Sequence, residues 1–189
     1  MTDAEHLQDL RAAEAETCAV GRPQCCLVRR AAALTLIRDA PGPPDFEVMS
    51  LAYSVFDRHV AAGGTDLVGA AVRALEIADK FASVPGSRVD LRAVRWSARI
   101  TSRNVSEGEV LRSIGYRVAA PTVATLLGAV CAAEELAPDE IRCALALCAR
   151  TLGRIPRWKP SEIAMAAAMI AMGVERIGDP CIDYIKRLE

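Results

Sequence analysis

The chain has 189 residues, and its 23 Lys and Arg against 24 Asp and Glu give a formal net charge of −1. This balance leaves no basic field for nucleic acid, and the 52% apolar content is too high for a disordered chain. No apolar run approaches the roughly 20 residues that span a bilayer, and residues 1–11 resemble neither a signal peptide nor a transit peptide. We therefore expect an intracellular protein of the nucleus and cytoplasm, without nucleic-acid or membrane partners.

Cysteine and histidine give no indication of a metal site. The seven cysteines have irregular spacing with no C-x-x-C pair, and only His6 and His59 accompany them. Cys143 and Cys148 stand among Ala and Leu at helical spacing, which is typical of small core residues. We predict reduced structural thiols, no metal and no cofactor.

Gly and Pro residues divide the chain into helical segments, and no segment shows the alternation of a strand. We therefore predict an all-α fold. Thr65 is a suitable helix cap, and Ser106-x-x-Glu109 has the spacing of a capping box that opens a short helix ending near Gly115. The other predicted helices of this first series run from Thr2 or Asp3 to Val20, Cys25 to Arg38, Asp45 to Val60, Asp66 to Ala82 and Asp90 to Ile100.

A second series of four helices follows, and each begins with a proline. Proline suits the first helical turn, because the N–H that it lacks has no partner there. Five helices, a short connection that carries the brief Ser106 helix, and four more helices predict a pair of helical bundles. The predicted ranges are Pro121 to Leu136, Pro138 to Leu152, Pro160 to Val174 and Pro180 to Leu188.

Four motifs lie on these helices. They read LAYSVFDRHV at residues 51–60, LEIADKF at 75–81, LRSIGYRVAAPT at 111–122, and ALCA at 146–149 followed by KPSEIA at 159–164. In this order they resemble the cyclin family. The first three are similar to its LA…(Y/F)DRF, ASKF and LxxLxFxLxxPT segments, and the fourth is similar to the second box of D-type and virus-encoded cyclins.

The resemblance covers approximately residues 27–178 and implies a cyclin-like fold of two five-helix boxes, the second truncated here. We expect an N-terminal helix in residues 1–24, a first cyclin box in 25–120 and a partial second cyclin box in 121–189.

The resemblance also implies a kinase-binding surface. In the family, a lysine at the end of the third box helix and a glutamate on the fifth contact the kinase. Lys80 matches the lysine, and Glu107 matches the glutamate if the shortening of the fifth helix lies upstream of it, with Glu109 as the alternative. Phe81 and Ile114 complete the expected set. From spacing alone, the simpler interpretation is a lysine that complements the helix dipole and two capping glutamates.

Two further features have mainly structural interpretations. Asp57 and Arg58 stand mid-helix, and the resemblance implies a salt bridge within the box in preference to a general acid. Trp96 is predicted to lie in the core, and Trp158, in a polar segment, to be partly exposed.

The resemblance implies a regulatory subunit that binds and activates a cyclin-dependent kinase, of the G1 type, in cell-cycle control. The short length and abundant Ala and Arg fit a virus-encoded cyclin. The alternative is a cyclin-fold adaptor for a non-kinase protein. An enzyme is disfavoured, because the sequence has no Gly-rich phosphate loop, no His-based general base and no metal constellation. We therefore expect no catalytic residue and no small-molecule substrate.

Overall fold

All regular secondary structure in the described part of the chain is α-helical, as predicted, and that part contains no strand. The computed structural model describes residues 3–17, 33, 35–40, 42, 44–82, 89–98, 105–152, 158–174 and 179–187. The helices are α1 (Asp3–Thr17), α2 (Phe46–Ala61), α3 (Leu67–Ala82), α4 (Leu91–Ser97), α5 (Glu107–Ser113), α6 (Val123–Ala133), α7 (Pro138–Leu152), α8 (Pro160–Ala171) and α9 (Pro180–Lys186).

The helix predicted from Cys25 to Arg38 falls largely outside the described residues. Its described residues, 33 and 35–38, are helical. Two of them, Ala33 and Ile37, are fully buried.

The chain forms two compact units. The first unit comprises Ala19–Ala120, and the second comprises Met1–Cys18 together with Pro121–Glu189. The N-terminal helix α1 therefore belongs to the same unit as α6 to α9, far from it in sequence.

The first unit is built on the pairing of α2 with α3, and α4 and α5 pack against α3. Val55 and Phe56 of α2 and Leu75 and Ile77 of α3 are fully buried. Burying side chains of this size contributes about 1.5–3 kcal/mol each relative to leaving them in water. Most apolar residues of the 51–60 and 75–81 motifs are therefore core residues, and Phe81 is an exposed exception. Of the charged residues of the second motif, Lys80 is exposed and Glu76 is buried.

Side-chain caps fix where the helices of the first unit begin. The capping box is confirmed, since Ser106 and Glu109 exchange hydrogen bonds at the start of α5. Asp90 caps α4 by accepting two amide hydrogens of its first turn. The predicted cap of α3 is wrong by one residue: Asp66, and not Thr65, accepts an amide hydrogen of the first turn, at 2.9 Å. Asp66 directly precedes the first helical residue, Leu67, which is the position of an N-cap.

In the second unit, α8 is central and contacts α1, α6, α7 and α9. Ala164, Ala167 and Ala168 of α8 are fully buried. Small side chains at a contact let neighbouring helix axes approach each other closely. The high alanine content noted in the sequence is thus concentrated where several helices meet.

The proline starts were predicted correctly for three helices of the second unit. Pro138, Pro160 and Pro180 are the first residues of α7, α8 and α9. The prediction for Pro121 is wrong, because Thr122 caps α6, which begins at the residue after it. Pro121 therefore lies before the cap and outside the helix.

A buried carboxylate joins α1 to the start of α8. Glu14 is buried, and its Oε1 accepts the backbone N–H of Ser161 at 2.8 Å. First-turn amides have no partner within their own helix, and a negative charge is favourable there. Within the second unit, this hydrogen bond joins α1 to α8.

Candidate functional site

An exposed ion pair joins the end of α3 to the start of α5. Lys80, in the last turn of α3, places its Nζ 2.5 Å from Oε2 of Glu107, the first residue of α5. Each charge complements the dipole of its own helix, a cation at a C-terminus and an anion at an N-terminus. The side chains are 55% and 34% exposed. A pair this accessible contributes about 0–1 kcal/mol to folding, so both charges remain available to another molecule.

Phe81 is an exposed apolar residue at the end of α3. It follows Lys80 directly and is 64% exposed, which is unusual for a residue of its size. Ile114, in contrast, is buried at the end of α5 and supports that helix from within. The structure therefore presents Lys80, Phe81 and Glu107 at the surface.

Glu109 is engaged in its own capping box. Its Oε2 accepts the backbone N–H of Ser106 at 2.6 Å and the Ser106 hydroxyl at 2.8 Å. These two bonds, the backbone one foremost, lower the pKa of the Glu109 carboxyl. Of the two glutamates left open by the sequence, Glu107 is the one that the structure brings to Lys80.

A buried glutamate one turn before Lys80 was not foreseen from the sequence. Glu76 of α3 is only 2% exposed, and it lies between two guanidinium groups. Arg73 Nη1 is 2.8 Å from its Oε2, and Arg95 Nε of α4 is 2.5 Å from its Oε1. Burial alone would raise the pKa of Glu76, but the hydrogen bonds from Arg95 and Arg73 outweigh it and leave that pKa below its ordinary value. The available signal was a carboxylate within an otherwise apolar run, three residues after an arginine.

A histidine–serine contact joins α2 to α5. His59 Nδ1 lies 2.7 Å from Ser113 Oγ, and Ser113 donates its hydroxyl hydrogen to the carbonyl of Val110 at 2.7 Å. Which of the two atoms donates in the His59–Ser113 bond depends on the tautomer of the imidazole. Burial is the main effect on His59 and lowers its pKa, while Glu109 and Asp66 act in the opposite direction. The contact joins α2 to α5 by a side-chain hydrogen bond.

Arg58 tethers α2 to the chain that follows α5. Its Nη1 donates to the backbone carbonyl of Arg117 at 2.6 Å. The salt bridge expected for Asp57 and Arg58 stays a prediction, and the observed role of Arg58 is structural.

The core prediction for Trp96 is wrong, since this side chain is 85% exposed. Val94 of α4 is buried, and Trp96, two positions later, is turned about 200° away at 100° per residue. Trp158 is half-buried, and its ring lies 4.6 Å from that of Tyr184, centroid to centroid.

The cysteines of the second unit differ in accessibility. Cys131, Cys148 and Cys181 are buried free thiols, whereas Cys143 is exposed, which corrects its prediction as a core residue. Burial raises the pKa of Cys148 well above its usual range and, with Asp179 and Glu162 contributing, raises that of Cys181 to about 12. These buried thiols are unreactive core side chains at neutral pH.

No group of three or more His, Cys, Asp or Glu within the described residues is arranged to hold a metal ion. Among the helices that the structure describes, none combines the length and the apolar character needed to cross a membrane.

The fold is similar to that of a solved protein, whereas two sequence comparisons find no match. No family model matches the chain, and no curated protein matches it. The X-ray structure of a viral cyclin from herpesvirus saimiri is similar, with a TM-score of 0.67 and 16% sequence identity. The similarity covers 96% of this chain and 88% of that one. The chain therefore has an all-helical, cyclin-like fold.

Proposed function

We propose that the protein is a cyclin-like regulatory subunit, without an active site of its own, that binds a cyclin-dependent kinase of the G1 type. The observation that carries the proposal is the ion pair between Lys80 and Glu107 on an exposed surface of a cyclin-like fold. The sequence resemblance assigns kinase contacts to these same two positions, which lie on different helices. A nuclear and cytoplasmic location follows from this function.

The chemistry of the pair suits a protein partner. The Lys80 ammonium has three donors, of which Glu107 uses one, so the others can reach carbonyl or carboxylate oxygens of the kinase. The remaining acceptor positions of Glu107 can take backbone amides. Because a partner would exclude water from the pair, both charge-assisted bonds would strengthen on binding.

Phe81 supplies the apolar part of the same surface. Covering an exposed phenylalanine contributes about 1.5–3 kcal/mol, and such a side chain beside a charged pair is typical of the few residues that dominate a protein interface. Contact at the ends of α3 and α5 would push the regulatory helix of the kinase inward, which brings its catalytic Lys–Glu pair together.

Binding of the full chain to a panel of purified cyclin-dependent kinases tests this proposal. We expect Lys80→Ala to raise the Kd at least about tenfold, which corresponds to about 1.4 kcal/mol. Arg142→Ala is the matched control, since Arg142 forms an exposed ion pair with Asp139 on α7 of the second unit. This control should bind as well as the wild type.

A chain that binds none of the kinases contradicts the proposal and favours the alternative of a non-kinase protein partner. Kinase binding that Lys80→Ala and Arg142→Ala leave equally unchanged removes Lys80 from the interface.

A further inference from the structure

Three charged residues share the face of α3 that is turned toward α4 and α5. Arg73, Glu76 and Lys80 follow one another at spacings of three and four residues, which places them on one side of the helix. Each of them contacts a different segment. The contacts are Arg73 Nε with the Val105 carbonyl at 3.0 Å, Glu76 Oε1 with Arg95 Nε at 2.5 Å, and Lys80 Nζ with Glu107 Oε2 at 2.5 Å.

The buried carboxylate of Glu76 orients both arginines. A carboxylate removed from water requires compensating charge and hydrogen bonds, and Glu76 receives them from Arg73 on its own helix and Arg95 on α4. With its Nη1 held by Glu76, Arg73 directs its Nε at the Val105 carbonyl. The planar guanidinium has donors in a fixed geometry, so one side chain can make both bonds.

Val105 lies directly before the cap of α5, and Glu107 is the first residue of that helix. A bond to the Val105 carbonyl therefore fixes the position of the α5 N-terminus relative to α3. The carboxylate of Glu76 and, to a smaller extent, that of Glu107 raise the pKa of the Arg95 guanidinium.

We propose that Arg73, Glu76 and Arg95 are positioning residues for the surface pair, and that they hold Glu107 against Lys80 before any partner arrives. This inference rests on the proposed kinase-binding function of that pair. An exposed ion pair normally loses side-chain freedom when it is fixed in one geometry. Fixing the start of α5 in advance reduces that loss on binding. None of the three residues has to touch the kinase to affect its affinity.

Carbodiimide coupling in the free chain measures the pair without any partner. The reagent joins a lysine amine to an adjacent carboxylate, and mass spectrometry identifies the Lys80–Glu107 product. The informative variant is Arg73→Lys, which keeps the charge beside Glu76 but has a single nitrogen that cannot also reach the Val105 carbonyl. We expect several-fold less of this product than in the wild type. Arg95→Lys, at a half-exposed position, is the second variant should Arg73→Lys fold poorly.

Kinase affinity is the second measurement on the same variants. We expect Arg73→Lys to raise the Kd by about two- to tenfold, the range that ordering one long side chain costs. The control is Arg142→Lys on α7, which should change neither the coupling yield nor the Kd. Thermal unfolding of each variant shows whether the fold is retained.

The outcomes separate this inference from the proposed function. Undiminished coupling in Arg73→Lys and Arg95→Lys overturns the positioning role, whatever the kinase does. If Arg73 and Arg95 only stabilise the fold, their variants should have a lowered Tm and an undiminished yield of the Lys80–Glu107 product. Reduced coupling with a Kd that stays unchanged, while Lys80→Ala weakens binding, also overturns it. Reduced coupling in a chain that binds no kinase supports the positioning role and contradicts the proposed function alone.

Discussion

Lys80 and Glu107 lie 27 positions apart in the chain and meet through a 2.5 Å contact between Nζ and Oε2. The contact joins the last turn of α3 to the first residue of α5, and water reaches both side chains. A pair of this kind does little for folding. Its importance is therefore expected in binding, and the two effects can be measured separately.

Lys80→Ala should change the free energy of unfolding by no more than about 1 kcal/mol, because the pair is exposed. Urea denaturation of the free chain measures this, with Arg142→Ala as the matched control for an exposed pair. A loss of several kcal/mol would show that Lys80 is needed for the stability of the fold. Weaker kinase binding of Lys80→Ala would then follow from unfolding and not from a lost contact.

Glu76→Ala should be far more damaging. Removing this buried carboxylate leaves the facing guanidinium groups of Arg73 and Arg95 without their common partner. Breaking a buried ion pair costs about 3–5 kcal/mol, and the lower end of this range applies here because Arg95 is half-exposed and can regain water. Asp139→Ala, which removes an exposed partner of an arginine, should cost less than about 1 kcal/mol. Comparable urea midpoints for the two variants would contradict the buried network.

His59 should make the protein less stable as the pH falls through the neutral range. Burial holds the folded-state pKa of His59 below its ordinary value of about 6.5, against the opposing effects of Glu109 and Asp66. Below that pH the unfolded chain binds more protons than the folded chain, so the stability that is present above about pH 6.5 is lost on acidification.

Urea denaturation between about pH 7.5 and 5.5 tests the effect of His59. In His59→Gln, the fall in unfolding free energy over this interval should be smaller than in the wild type. His6→Gln is the control, since His6 is exposed on α1. Equal slopes for the wild type and His59→Gln would assign the pH dependence to other groups.

Glu76 should add a second loss of stability at lower pH. Its folded-state pKa is depressed, so its contribution is complete above the ordinary glutamate pKa of about 4.3 and disappears as the pH falls below that value. In Glu76→Gln, the unfolding free energy should fall less steeply than in the wild type below about pH 4.3, and the slope above that pH should be unchanged. An unchanged profile below about pH 4.3 would contradict the ion pairs of Glu76.

Tryptophan fluorescence should separate the two indole environments. Trp96 is almost fully exposed, whereas Trp158 lies against Tyr184. Acrylamide should quench the emission strongly in the wild type and much less in Trp96→Phe. The same substitution should change the unfolding free energy by less than about 0.5 kcal/mol, as is usual for surface positions. A loss of several kcal/mol in Trp96→Phe would contradict the exposed position of Trp96.

The sequence indicated the helices well where a local signal marks their ends. The capping box of Ser106 and Glu109 and the prolines that start α7, α8 and α9 are such signals. The Lys80–Glu107 pair was predictable only through the family resemblance, because spacing alone gives no reason for these two residues to meet.

The remaining features depend on tertiary packing. The Glu76–Arg95 contact joins two helices whose approach no local pattern encodes. Trp96 was misplaced because α4 has only 7 residues, about two turns, and periodicity over such a length does not determine which side is buried. The outward direction of Cys143 was missed although charged residues, Asp139 and Glu140, lie one turn before it on α7 and mark the exposed side of that helix.

The bond between Glu14 and Ser161 spans 147 positions of sequence, and this has a consequence for folding during synthesis. The first unit is continuous in the chain and can fold as soon as it leaves the ribosome. Helix α1 is made earlier, but its partners α6 and α8 are translated only after the whole first unit. At about 5–20 residues per second, α1 waits many seconds for them, and chaperones have access to its packing face throughout that time.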